Sequence, residues 1–261
     1  MKDTQLLISH CSAYVGEKQI LDDVSVTFQK GSVTVIMGPN GSGKSTLAHV
    51  IMGDPTYSYQ SSAIRQETKN KKFSIVLCGK NIADLPTEER AKLGLFLSFQ
   101  SPVAIPGVSV IELLRSSYEG HIGKTNVVFK DFLKMVRTHA ETLHIAPELL
   151  TRGIHEGFSG GERKKIELLQ ALVLKPSFAI FDEIDTGLDV DALRIVGKGI
   201  QALQKIKTGI VIITHNQKIL SYVVPDTVIV MDKGKVVKTG NAALAKIIDE
   251  KGFTYLNHKS Q

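Results

Sequence analysis

Residues 38–46, GPNGSGKST, combine the residue types needed to hold a phosphate chain. Gly38, Gly41 and Gly43 let backbone N–H groups converge on a phosphate with no Cβ in the way, and the following helix adds the positive end of its dipole. Lys44 is placed to reach β- and γ-phosphates, Ser45 to ligate Mg²⁺ and Thr46 to support an α-phosphate, while Pro39, Asn40 and Ser42 complete the loop. A second apolar run, 178–181, ends in Asp182 and Glu183. Two carboxylates at a strand end suit a Mg²⁺ held through water by Asp182 and a general base, Glu183, that polarises an attacking water, a role worth ~10²- to 10⁴-fold in rate. Alternatively, the acids cap the next helix.

These groups need elements to aim them. Apolar runs at 32–37, 178–181 and 209–213 are each followed by a helical pattern, from Lys44, after Glu183 and from Asn216, which predicts an α/β fold with a largely parallel sheet. Residues 5–9, 18–21 and 24–28 read as short strands, an antiparallel β layer at the N-terminus. A hairpin is expected over 228–238, with Lys233 and Gly234 as its turn. Residues 87–157 carry helical spacings (Ile111, Leu114, Tyr118; Phe132, Met135, Val136, His139) interrupted by Pro102 and Pro106. One domain is therefore expected, with 1–86 and 158–261 as its core and 87–157 as an inserted, mostly helical part.

The 261 residues are 43% hydrophobic and 22% charged, an ordinary globular composition that excludes disorder, collagen and coiled coil. No apolar run approaches the ~18 residues of a membrane span, so direct membrane insertion is not expected. MKDTQLLISH has neither basic leader nor apolar core, which makes a cytoplasmic location the default. The charge of +6 favours an anionic partner, but Lys69, Lys71 and Lys72 lie in the polar stretch 57–72 and read as a solvated loop. Cys11 and Cys78 lack ligand spacing and read as buried, inert thiols.

Ahead of the acidic strand, GFSGGERKK at 157–165 starts an apolar-periodic helix with Ser159, Gly160 and Gly161. A Ser-Gly-Gly helix start alone is weak; its place before Asp182 is not. Together these stretches resemble the ATP-binding cassette (ABC) ATPases: GPNGSGKST is similar to the Walker A motif, FSGGE to the signature, FAIFDE to Walker B and IDTGLD (184–189) to the D-loop. The resemblance runs from Leu6 to Leu256 and implies an ABC nucleotide-binding domain with a RecA-like parallel-sheet core, N-terminal antiparallel layer and helical insertion. It implies ATP and Mg²⁺ as ligands. Gln100 then resembles the Q-loop glutamine that touches Mg²⁺ or the attacking water and hinges the insertion, and His215 the H-loop histidine that contacts the γ-phosphate. Tyr14 stands where the family often stacks an aromatic ring on adenine, or else simply packs the β layer. Ser159, Gly161 and Asp189 match positions that complete a partner's ATP site, which implies a head-to-tail dimer with a second copy of the chain.

Within the family, residues 98–109, 182–193, 213–220 and 238–253 resemble the ATPase of the SUF iron–sulfur cluster assembly system, although Asn216 replaces a usual aromatic. That resemblance implies SufB/SufD-type scaffold subunits as partners and no nucleic acid. The alternative is the nucleotide-binding subunit of a membrane transporter; an ABC-type DNA-maintenance role is disfavoured for want of coiled-coil patterning. Finally, the helix from Gly160 and the strand ending at Asp182 should meet at one edge, putting Lys164 or Lys165 in reach of Glu183, an ion pair that would restrain the carboxylate in an idle subunit.

Overall fold

The computed structural model describes residues 4–59, 73–123, 128–215 and 217–253; the lysines of the polar stretch and Asn216 lie outside them. In chain order the elements are β1 (Gln5–Val15), β2 (Lys18–Gln29), β3 (Val33–Met37), α1 (Lys44–Met52), β4 (Ser58–Tyr59), β5 (Ser74–Leu77), β6 (Lys80–Asn81), α2 (Thr87–Lys92) and β7 (Leu95–Ser98). They continue through α3 (Val110–Ile122), α4 (Phe129–Thr142), α5 (Pro147–Thr151), α6 (Gly160–Leu174), β8 (Phe178–Asp182), α7 (Val190–Lys205), β9 (Gly209–Ile213), β10 (Thr227–Asp232), β11 (Lys235–Gly240) and α8 (Ala242–Lys251). The fold is the α/β arrangement expected, with a six-stranded sheet in the order β11-β10-β3-β9-β8-β7. Five of its strands are parallel, and β11 turns back antiparallel on β10. β3, β8 and β9 are buried at every residue, as strands covered on both faces must be. One face packs on α3 to α8, the other on α1 and the antiparallel layer.

Three details differ from the sequence reading. The N-terminal layer is built from two long strands, not three short ones. Bulges between Ile8 and Cys11, with His10 and Asp23 at positive φ and joined by a 2.7 Å hydrogen bond, let β1 and β2 continue past their polar interruptions. The layer also recruits β4, β5 and β6, which the alternation of residue types does not announce. Second, β7 pairs with β8 in the main sheet, so residues 95–98 belong to the core and the helical part begins after Gln100 rather than at Thr87. The three apolar residues Leu95, Phe96 and Leu97 are too few to show whether they join a helix bundle or a sheet. Third, the helix expected from Asn216 is a single 3₁₀ segment, Gln217–Ser221. Cys11 is fully buried, its thiol pushed up to about 12 by that burial, but Cys78 is only partly covered.

Arg90 of α2 is 1% exposed. Its guanidinium donates to the carbonyls of Val50 and Ile51 at the end of α1 and to those of Ala83 and Leu85. A charged side chain here closes a helix C-terminus, satisfying carbonyls the helix cannot satisfy itself.

Candidate functional site

The cradle is formed where β3 ends and α1 begins. At Gly38 any side chain would stand 2.1 Å from the Met231 carbonyl, so the strand can turn only there with glycine. Gly43, at φ +98, leads into α1 without a side-chain cap, and the first turn contains no acidic residue. The first N–H groups of α1 therefore keep their donor capacity for an anion. Lys44, 6% exposed, donates from Nζ to the carbonyls of Gly38 and Pro39, both at 2.9 Å, with Ser42 Oγ at 3.5 Å. Burial holds its ammonium below the ordinary lysine range, against the opposing pull of Glu183 and Asp182. Ser45 and Thr46 are half-buried in the first turn, Asn40 and Gly41 exposed at the rim. The turn between β10 and β11 closes over the loop: Gly234 N donates to Ser42 O at 3.0 Å, and Asp22 N donates to Gly234 O at 2.9 Å.

Asp182 ends β8 at 2% exposure, and its Oδ1 is buried without a hydrogen-bond partner. Burial raises its carboxyl above the usual carboxylate range, while a hydrogen bond from Ser45 pulls the other way. An orphaned buried carboxylate oxygen beside a serine hydroxyl fits a hard divalent cation such as Mg²⁺. Glu183 follows in the left-handed region, φ 52, which lifts its side chain out of the strand line. Its carboxylate accepts from Gln100 Nε2 at 2.7 Å, His215 Nδ1 at 3.2 Å and Thr186 Oγ1 at 3.4 Å. Glu183, Gln100 and His215, spread over more than a hundred residues of sequence, thus meet at one carboxylate.

The ion pair expected between Glu183 and Lys164 or Lys165 is not formed. Lys164 Nζ donates to Gln100 O at 3.1 Å and Lys165 Nζ to His144 O at 3.3 Å, so both ammonium groups are held by backbone carbonyls instead. Tyr14 is 5% exposed in the β layer, where its backbone pairs with Gln19 and Ser58. Ser159 caps α6 in a reciprocal box with Glu162, and Asp189 caps α7 through Ala192 N at 2.7 Å. Ser159 and Asp189 are exposed, and a Cβ on Gly161 would meet only Leu188, at 3.8 Å.

Sequence reasoning missed Asp185. It is 2% exposed, accepts from Thr214 Oγ1 at 2.8 Å and so ties the loop after β8 to the residue before His215. A second aspartate two residues beyond Glu183, opposite a threonine at the end of a buried strand, was the available signal.

The sequence profile of the ABC transporter family matches residues 21–186. A chain named probable ATP-dependent transporter ycf16, from Cyanophora paradoxa, is 41% identical over 255 residues, covering 97% of this chain and 94% of its own. The ADP conformation of an ATP-binding cassette of an ABC transporter superposes with a TM-score of 0.75 at 24% identity, over 98% of this chain and 99% of that one. A dimeric bacterial ABC transporter cassette gives 0.74 at 17% identity, over 91% and 98%.

Proposed function

This chain belongs to the ABC transporter family and is an ATP hydrolase, and from that premise we propose that it is the ATPase subunit of a SUF-type iron–sulfur cluster assembly machine. The observation that carries the reading is the stretch 98–109, SFQSPVAIPGVS, which resembles the SUF ATPases outside the shared nucleotide chemistry. It presents Phe99, Val103 (80% exposed) and Ile105 to solvent directly beside the Gln100 contact to Glu183. An apolar face attached to the catalytic carboxylate suits a subunit whose hydrolysis moves partners, here SufB/SufD-type scaffolds.

In this reading the loop of residues 38–46 binds the ATP phosphates, with Lys44 on the β- and γ-groups. Asp182 and Ser45, with Gln100, hold Mg²⁺, which supplies charge neutralisation at the phosphates when bound. Glu183 takes a proton from the attacking water and His215 contacts the γ-phosphate. Ser159, Gly161 and Asp189 act on the nucleotide of a second copy, so the working form is a head-to-tail dimer with two composite sites. An isolated subunit should hydrolyse slowly, and activity should rise as scaffolds hold two copies together. High activity per subunit, independent of concentration and partner, would count against this.

The name of the Cyanophora relative, probable ATP-dependent transporter, favours a second reading, the nucleotide-binding subunit of a membrane transporter. No helix among the described residues is long and apolar enough to cross a membrane, so that reading needs separate membrane subunits. Affinity capture of the full-length chain separates the two. Scaffold subunits recovered without detergent support cluster assembly, whereas partners recovered only from detergent extracts support transport.

A further inference from the structure

Beneath the 99–105 loop lies a cleft of about 340 Å³ whose floor includes two buried polar residues, His155 and Glu167, that the hydrolytic site does not use. His155 is 4% exposed, sits at φ 60 and stacks edge-on against Phe158. Its Nε2 lies 3.2 Å from Glu167 Oε1, so the tautomer protonated at Nε2 donates there; its Nδ1 is buried with no partner. Glu167, 5% exposed, accepts a further bond from Gln170 Nε2 at 3.2 Å.

One turn earlier on α6, at 7% exposure, is Lys164, donating to the Gln100 carbonyl. A buried ammonium held by one carbonyl needs a compensating charge. Glu167, three residues on along α6 and therefore on the same face as Lys164, is buried with it and supplies that charge; burial lowers the ammonium from the ordinary lysine range, and Glu167, like Asp182, Glu183 and Asp185, acts against that. Asp182 and Glu183 have their own duties at the phosphate site. Glu167 has none there.

We propose that His155 and Glu167 are positioning residues for hydrolysis: together they keep Lys164 on the Gln100 carbonyl, and thereby keep the Gln100 amide, 2.7 Å from Glu183 Oε2, in place beside the catalytic carboxylate. Without the charge of Glu167, the carboxylates left to compensate Lys164 are Asp182, Glu183 and Asp185. The ammonium is then drawn from the Gln100 carbonyl toward Glu183, competing with the water that Glu183 must activate. Because the pair also lines the cleft under Phe99 and Ile105, displacement of that loop acts on the same chain of contacts. The inference rests on Glu183 as the base.

The test is a double-mutant cycle on the full-length chain, reading kcat for ATP and, separately, the Kd of a fluorescent ATP analogue. Glu167→Gln keeps the shape and an acceptor for His155 while removing the charge. It should lower kcat about 10-fold and leave Kd within about 2-fold, since the phosphate loop is untouched. In a Lys164→Met background the same exchange should have no further effect, whereas a merely structural role would let the two losses multiply. His155→Asn is the second route into the pair: Asn tolerates φ 60 but is too short to reach Glu167, and it should give a smaller loss with the same split and the same dependence on Lys164. Unchanged kcat in the variant that folds, or multiplying losses, overturns the proposal. Glu183→Gln run in parallel separates the two levels: if it hydrolyses at the wild-type rate, the site reading itself fails.

Discussion

Both glycine-rich helix starts of this chain, one before α1 and one before α6, suit a phosphate, yet they are built in opposite ways. Around α1 the neighbours press close at most points, with Gly41 left open at the rim. Gly38 abuts the Met231 carbonyl, a Cβ on Gly43 would fall 2.7 Å from Leu21, and the Gly234 turn binds the Ser42 carbonyl. Around α6 the space is open: a Cβ at Gly160 meets nothing within 4 Å. The first start has no side-chain cap, while the second is closed by its own Ser159 and Glu162. A cradle braced at Gly38, Gly43 and the Ser42 carbonyl is pre-organised for its ligand, and binding costs it little reordering. An exposed one that is already capped holds its shape without a ligand, which suits a surface that meets a nucleotide carried by another copy.

The contrast predicts where substitution is felt. The largest effects belong to the braced side. Lys44→Ala should abolish both nucleotide binding and turnover, whereas Glu183→Gln should retain binding and lose ~10²-fold or more in kcat; near-normal turnover of the latter would remove the base assignment. Gly38→Ala forces a methyl into a backbone carbonyl and should cost about 3 kcal/mol in unfolding free energy, with weakened ATP binding, both measurable by thermal melts with and without nucleotide. On the open side, Gly161→Ala should shift unfolding by less than about 0.5 kcal/mol yet lower dimeric hydrolysis about 10-fold. If it instead unfolds the chain, the two helix starts are not different in kind.

The smallest effect is electrostatic. Because burial raises the Asp182 carboxyl, the folded chain retains a proton that the unfolded chain has released, so this group's contribution to stability is complete below the ordinary carboxylate value and lost as pH rises through the raised one. Above that raised value the ionised Asp182 is therefore a burden on the chain without Mg²⁺. Asp182→Asn should raise Tm by about 3 °C there, on the order of 1 kcal/mol, with the gain shrinking toward acid pH and Mg²⁺-dependent turnover lost.

Legibility in the sequence follows the range of the contacts. The phosphate loop, the acidic strand end and the hairpin around Lys233 and Gly234 are local, and their residue types state their geometry. The site's second layer is not local. Nothing near Gln100 announces that its amide lies 2.7 Å from a carboxylate 83 residues on, and the Lys164 ammonium goes to a backbone carbonyl that no side-chain pattern reveals. Tyr14 is ambiguous in sequence because an exposed and a buried ring look alike in an alternating strand. Arg90 reads as one more solvated charge in TEERAK, since its burial depends on carbonyls contributed by a different helix.

That arginine has a mechanical consequence. Helix α1 spans nine residues, so at 1.5 Å per residue the phosphate cradle at its start and the guanidinium clamp at its end are about 13 Å apart. A helix held at its far end resists shortening, so a push at Lys44 is expected to be felt at Arg90. From there it passes into α2, whose next element is β7, the strand that delivers Gln100. Arg90→Lys would leave some of those carbonyls undonated and loosen that hold.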